Sequence, residues 1–292
     1  MAALVAGSVL TPASAAAASP ATVAADPVLV GAGDIAVCGT NSDSATAKLL
    51  DHLPGTVFTL GDNVYPSGSA SEFRDCYDPT WGRHMARTRP APGNHDYETS
   101  GAAPYFAYFG AAAGVPGKGW YSYDLGTWHI VVLNSDCADV GGCGPRSPQV
   151  AWLHQDLLLH AGAHILAYWH HPLFSSGMHG SSTSVRTFWK ELYKAGAELV
   201  LNGHDHDYER FARQDAWGHL DNGRGIREFV VGTGGAPLRP RAGKARNSRA
   251  FRSIHGVLEL TLRPDGYDWR FVPVAALTRT DSGSNRTHAT SP

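Results

Sequence analysis

The sequence is poor in several features that mark whole classes of protein. It lacks a strong charge of either sign: Lys and Arg number 24 and Asp and Glu 26 in 292 residues. No nucleic acid-binding surface and no general attraction to anionic lipid is expected from such a balance. It lacks an N-terminal apolar stretch long enough to cross a bilayer. Ala2 to Leu10 is too short, so no stable membrane anchor is expected. It has four cysteines and no Cys-x-x-Cys spacing, which argues against a thiolate metal site. There is no internal repeat and no interior linker composition. Residues 1–25 contain no Lys or Arg.

What is present begins with that N-terminus. It is rich in Ala, Ser, Val and Pro, with Ala-x-Ala-like sites at Ala13-Ser14-Ala15 and Val23-Ala24-Ala25. It resembles a secretory signal without its basic start. A leader over 1–26, its removal near Asp26 and a secreted mature chain are therefore expected. Export suits disulfides. Four cysteines allow three pairings. Cys137 and Cys143 flank a glycine-containing loop that they could close, which leaves Cys38 for Cys76. Hydrophobic content of 43% supports a substantial core, and 15 histidines suit a metal-binding protein.

The pattern over 27–275 reads as one domain. Pro27 to Ile35, with Val28, Leu29 and Val30 leading to Gly33-Asp34, and Thr56 to Leu60, followed by Gly61-Asp62, read as buried strands. A helix between them would start at Asn41 or Asp43 and run to about Leu53. A longer helix is expected from Ser71 to Met85. Thr88 to Pro92 then leads to another glycine-bounded strand end. Ala103 to Phe109 reads as an aromatic helix, and 119–134 as a hairpin turning near Gly126. Ser147 caps a helix to His160 that carries Val150, Leu153, Leu157 and Leu158 inward. Strands follow at His164 to Trp169 and Ala197 to Leu201, with a helix from Ser184 to Ala195 between them. Later strands are expected at Arg227 to Val231, Gly256 to Leu262 and Tyr267 to Val274. Arg239 to Arg252 reads as a surface loop, and 276–292 as a flexible tail.

Polar residues collect where the expected strands end. The five clusters are Gly33-Asp34, Gly61-Asp62-Asn63-Val64-Tyr65, Gly93-Asn94-His95-Asp96, His170-His171-Pro172 and Gly203-His204-Asp205-His206. Each alone could be a turn. Together they deliver carboxylates, an amide, a phenol and imidazoles to the edge where α/β sheets bind ligands. That is a ligand set for hard or borderline metal ions. Alternation places His204 and His206 on one side of their strand end and Asp205 on the other.

The order and type of these blocks resemble the calcineurin-like metallophosphoesterases, and within them the purple acid phosphatases. The first block lacks the Asp-x-His usual elsewhere in the superfamily, reading Asp34-Ile35-Ala36, and Tyr65 stands in the second block instead. Ala36 departs mildly from the subgroup, which often has glycine there. The resemblance implies a four-layer α/β/β/α sandwich with two mixed β-sheets flanked by helices. It implies a metal-dependent phosphoric ester hydrolase of the acid phosphatase kind, acting on a small phosphorylated substrate. One metal would take Asp34, Asp62, Tyr65 and His206, and the other Asp62, Asn94, His170 and His204. Fe(III) is implied at the Tyr65 site, with divalent Fe, Zn or Mn at the second. His170 is chosen over His171 because the family's ligand lies two residues before the proline. Catalysis would be in-line attack of a metal-bound hydroxide on a phosphate monoester. His95 would protonate the leaving oxygen with Asp96 orienting its ring, and His179 would face the substrate. The alternatives are a phosphodiesterase acting on nucleotides or lipid head groups through the same site, and a non-catalytic phosphate- or metal-binding module.

Overall fold

The computed structural model describes residues 1–4, 6, 7, 25–276 and 280–288. The expected leader falls for the most part outside them. Among the described residues no helix is long and apolar enough to cross a membrane.

Two sheets form the centre. One runs in the order Ser282–Arg286, Gly266–Pro273, Gly256–Arg263, Val28–Ala32, Thr56–Leu60, Thr88–Ala91. Its last three strands are parallel and the others antiparallel. The second has seven strands in the order Ser248–Arg252, Tyr208–Phe211, Arg227–Val231, Leu199–Asn202, His164–Tyr168, Trp128–Val132, Tyr121–Leu125. Its parallel block runs from Arg227–Val231 to Trp128–Val132.

Alternation along each strand divides the side chains between two cores. Ile130 and Val132 join Leu166 and Tyr168 in the layer between the sheets, where Phe58 lies 6.0 Å from Tyr168 by ring centroids. Val131, Ile165, Ala167 and Val200 point the other way, onto Leu153, Phe188, Trp189 and Leu192 of the helices Pro148–Leu159 and Arg186–Lys194. Each fully buried aromatic of this kind contributes roughly 1.5–3 kcal/mol. The helix Ser42–Leu50 carries Ala47 and Leu50 to the outer face of the six-stranded sheet. The result is the expected four-layer sandwich.

Several expectations needed correction. The helix from Ser71 to Met85 is broken into Ala70–Glu72, a wide turn Phe73–Tyr77 and the tight winding Trp81–Arg87. Pro79 has no N–H to continue an α-helical ladder. Asn41 stands at the N-cap of its helix but its side chain makes no capping bond, and Asp43 is buried and accepts from Thr80 Oγ1 at 3.0 Å. Ser147 does cap its helix, accepting from Val150 N at 3.3 Å, but Leu158 is 59% exposed. The surface loop expected to Arg252 ends in the strand Ser248–Arg252, and the tail expected from 276 contains the edge strand Ser282–Arg286. Asp281, just before that strand, accepts from Tyr208, Arg210 and Trp269 and fixes the segment to the body of the protein. Disulfides join Cys38 to Cys76 and Cys137 to Cys143.

Candidate metal centre

All the parallel strands deliver their C-terminal ends to one edge, and the five glycine- and histidine-bounded blocks meet there. The chain must turn sharply as each strand ends. Asp34, Asp62 and His204 do so with φ of 59°, 50° and 71°, left-handed values that non-glycine residues rarely adopt. Such a conformation costs on the order of 1–3 kcal/mol per residue and persists where the surroundings impose it.

Each carboxylate is divided between backbone and site. Asp34 Oδ2 accepts from His204 N at 2.8 Å, while Oδ1 lies 2.8 Å from the Tyr65 hydroxyl and 3.4 Å from His206 Nε2. Asp62 Oδ1 accepts from His95 N at 2.8 Å. Its Oδ2 lies 3.0 Å from Tyr65 Oη and 3.3 Å from His170 Nε2. One oxygen of Asp62 therefore stands between the Tyr65 group and the His170 group, as a bridging ligand must.

The imidazoles are oriented by carbonyls, which can only accept. His170 Nδ1 donates to Leu60 O at 2.7 Å and His206 Nδ1 to Pro237 O at 2.8 Å. Both Nε2 lone pairs are thus turned inward. His170 Nε2 faces Asn94 Oδ1 at 3.1 Å and His204 Nδ1 at 3.2 Å. Metal-binding histidines are commonly held by their second nitrogen in this way. His171 Nδ1 lies 2.8 Å from Ser135 Oγ, and a nitrogen of His171 also falls within 4.8 Å of nitrogens of His170 and His204. Its ring still packs 4.3 Å from that of His204.

The donors fit two ions. Oxygen and nitrogen ligands bound at about 2.0–2.2 Å to one ion stand roughly 3 Å apart, which is the spacing found here. Asp34 and Asp62 are almost wholly buried with no Lys or Arg bonded to either carboxylate among the described residues. Burial, then Asp34 and Asp62, hold the Tyr65 phenol well above its usual pKa, so only a strongly charged cation would make it a phenolate. Burial opposes charge on His170, yet the Asp62 carboxylate raises its pKa to about 10. His204 is pushed down by burial and by His170, His171 and His179.

A cavity of about 450 Å³ is lined by Asp62, Tyr65, Asn94, His204 and His206 of this cluster and by Val37, Pro66, His95, His179, Pro237 and Arg239. His95 Nδ1 donates to Pro66 O at 2.6 Å, leaving Nε2 as its other nitrogen. The role expected for Asp96 is corrected. Its buried carboxylate accepts from Gly93 N at 2.9 Å and Asn63 Nδ2 at 3.0 Å, so it ties the second block to the third and does not orient His95. Burial, with the charge of Asp62, pushes it up to about 7. Asp205, set aside by the alternation argument, holds the His179 loop. Oδ1 accepts from His179 N at 2.7 Å, and Oδ2 accepts from Gly180 N at 3.2 Å and from the Ser175 hydroxyl. Only its position between two histidines could have drawn attention to it. Arg239 had no signal beyond lying in a basic stretch.

Fold and donor set together define a two-sheet α/β sandwich of the metallophosphoesterase kind, with its site at the strand ends. A model of the calcineurin-like phosphoesterase family matches residues 25–208, and the chain belongs to that family. Purple acid phosphatase 15 of Arabidopsis thaliana is 27% identical over 223 residues, covering 62% of this chain and 41% of that protein. The chain thus spans well under half the length of this curated relative. The purple acid phosphatase PPD1 from yellow lupin (Lupinus luteus) seeds superposes with a TM-score of 0.71 at 18% identity, over 88% of this chain and 53% of that one. GAP50, described as the anchor in the inner membrane complex of Plasmodium, superposes with a TM-score of 0.69 at 14% identity, over 91% of both chains. At such identities these two likenesses speak for the fold.

Proposed function

We propose that this chain is a secreted dimetal phosphatase that hydrolyses phosphate monoesters. The observation that carries the reading is the clustering of Asp34, Asp62, Tyr65, Asn94, His170, His204 and His206 beneath one cavity, which Asp62, Tyr65, Asn94, His204 and His206 line, with one Asp62 oxygen between the two groups. Asp34, Asp62, Tyr65 and His206 would hold one ion, best an Fe(III) given the phenol and two carboxylates. Asp62, Asn94, His170 and His204 would hold a divalent Fe, Zn or Mn. When bound, such a pair supplies Lewis-acid stabilisation of the phosphoryl oxygens and lowers the pKa of water.

The chain's own groups do the rest. Water adds to phosphorus, the ester P–O bond breaks, and the leaving oxygen takes a proton. In its imidazolium form His95 would give that proton from Nε2 and become neutral, its Nδ1–H staying on Pro66 O. His179 faces the same cavity from a loop that Asp205 grips by three donors. Export is supported by the two disulfides and by the signal-like composition of 1–26.

The direct test is metal analysis, a visible spectrum and hydrolysis of an aryl monoester against an aryl diester. About two ions per chain are expected, with a visible band lost in Tyr65→Phe and faster turnover of the monoester. A metal-free, colourless protein inactive on both esters would refute the reading, and preference for the diester would replace it by a phosphodiesterase. A milder change bears on Asp205. Asp205→Asn should lower kcat/KM about tenfold, because a charge-assisted anchor of the His179 loop is weakened. The metal content should stay the same. Unaltered turnover would remove that loop from the reaction.

A further inference from the structure

Arg239 is a charged group of the cavity that neither metal set uses. Its main chain is fixed from both sides. The N–H donates to His206 O at 3.0 Å, and the carbonyl accepts from Ser253 Oγ at 3.1 Å. Pro237 and Pro240 flank it, and a following proline restricts the backbone to extended geometry. Among the described residues, its hydrogen bonds are these main-chain ones. Other arginines are spent on carboxylates: Arg210 on Asp281, Arg213 on Glu198 and Arg241 on Glu209. Arg239 is part-buried and lines the cavity, and among the described residues it has no carboxylate partner.

The cavity asks for such a group. Set aside the metal donors and its lining is Val37, Pro66, His95, His179, Pro237 and Arg239. Its volume is of the size that takes a whole small molecule, well beyond one phosphoryl group. Two imidazoles and the metal donors are already available to the phosphoryl that is cleaved. A rigidly mounted guanidinium presents a fork of donors matched to a second oxyanion.

We infer that Arg239 binds a second anionic group on the leaving side of the substrate, so that the preferred substrates are phosphate compounds carrying another phosphate. This rests on the phosphatase reading above. It adds a substrate class to it: esters or anhydrides with two phosphates, over simple aryl or alkyl phosphates.

The test compares the metal-loaded parent, Arg239→Gln and Arg239→Lys on 4-nitrophenyl phosphate and on a nucleoside diphosphate. Calorimetry of methylenebisphosphonate and methylphosphonate binding runs alongside. Arg239→Gln should lose about 10–100-fold in kcat/KM for the diphosphate, mainly through KM, and less than about threefold for the aryl ester, as expected for one charge-assisted contact. Arg239→Lys should recover part of the loss. Bisphosphonate binding should weaken by a similar factor and monophosphonate binding should hold. Equal losses on both substrates would place Arg239 on the cleaved phosphoryl and overturn the inference. No loss on either would make it a solvated rim residue and overturn it too. A parent that hydrolyses neither substrate would refute the phosphatase reading instead, and the two phosphonate affinities would then still decide the role of Arg239.

Discussion

Asp62→Asn is expected to lower turnover by about 10³-fold or more, the scale of losing the chief electrostatic support of a transition state. The substitution is nearly isosteric. The amide oxygen can still accept from His95 N, which Asp62 Oδ1 now does at 2.8 Å. What is lost is the negative oxygen 3.0 Å from Tyr65 Oη and 3.3 Å from His170 Nε2. That oxygen is the one atom both donor groups share, so a neutral amide there weakens both ions at once. Metal content should fall from about two per chain, and the rise in melting temperature on adding metal should shrink with it. Binding at a hundred times Kd stabilises a protein by about 2.7 kcal/mol, so the shift is measurable. A variant that keeps both ions and its turnover would show that Asp62 is not the bridge.

The fold was legible where the chemistry of the strand is strong. Buried parallel strands are rich in apolar residues, so Thr56–Leu60 and, through Phe229 to Val231, Arg227–Val231 emerge with their bounds unchanged. Ser282–Arg286 was invisible because its residues Ser, Gly, Ser, Asn and Arg are polar or small and its pairing is made by main chain alone. The break of the helix expected from Ser71 lies around Pro79, which has no N–H for the helical ladder. At the site, donor types and order could be read because a metal needs particular atoms. Partnerships between side chains could not. The commitment of Asp96 to Gly93 N and Asn63 Nδ2 depends on how two loops meet. The left-handed turn at His204 also means that strict strand alternation does not set the direction of these histidines, although Asp205 does fall away from the metal donors. Arg239 belongs to the same class. Its meaning comes from the cavity it faces, 33 residues along the chain from His206, to whose carbonyl its N–H is bonded.

The other large effect is expected from adding one methyl group. Gly203 opens the last block, and a Cβ there would meet Asp34 Oδ2 at 2.7 Å, Leu60 O at 2.9 Å and His170 Nδ1 at 3.3 Å. None of these neighbours is the loose end of a flexible side chain. Asp34 Oδ2 is bonded to His204 N, Leu60 O receives His170 Nδ1, and Gly203 N itself donates to His170 O at 3.0 Å. Gly203→Ala must therefore wedge the first, fourth and fifth blocks apart. Overpacking of this kind costs about 1–3 kcal/mol. A displacement of about 1 Å at a reacting centre lowers rate by about 10²-fold. The measurements are the melting temperature, metal content and turnover of Gly203→Ala, set beside Gly144→Ala. Gly144 is exposed and has nothing within 4 Å of a Cβ, so the same chemical change there should be silent. If the two variants behave alike, the close approach at Gly203 is not what holds the blocks in register. If only Gly203→Ala loses metal and turnover, the glycine is needed because the Asp34 carboxylate and the His170 ring occupy the space a side chain would fill.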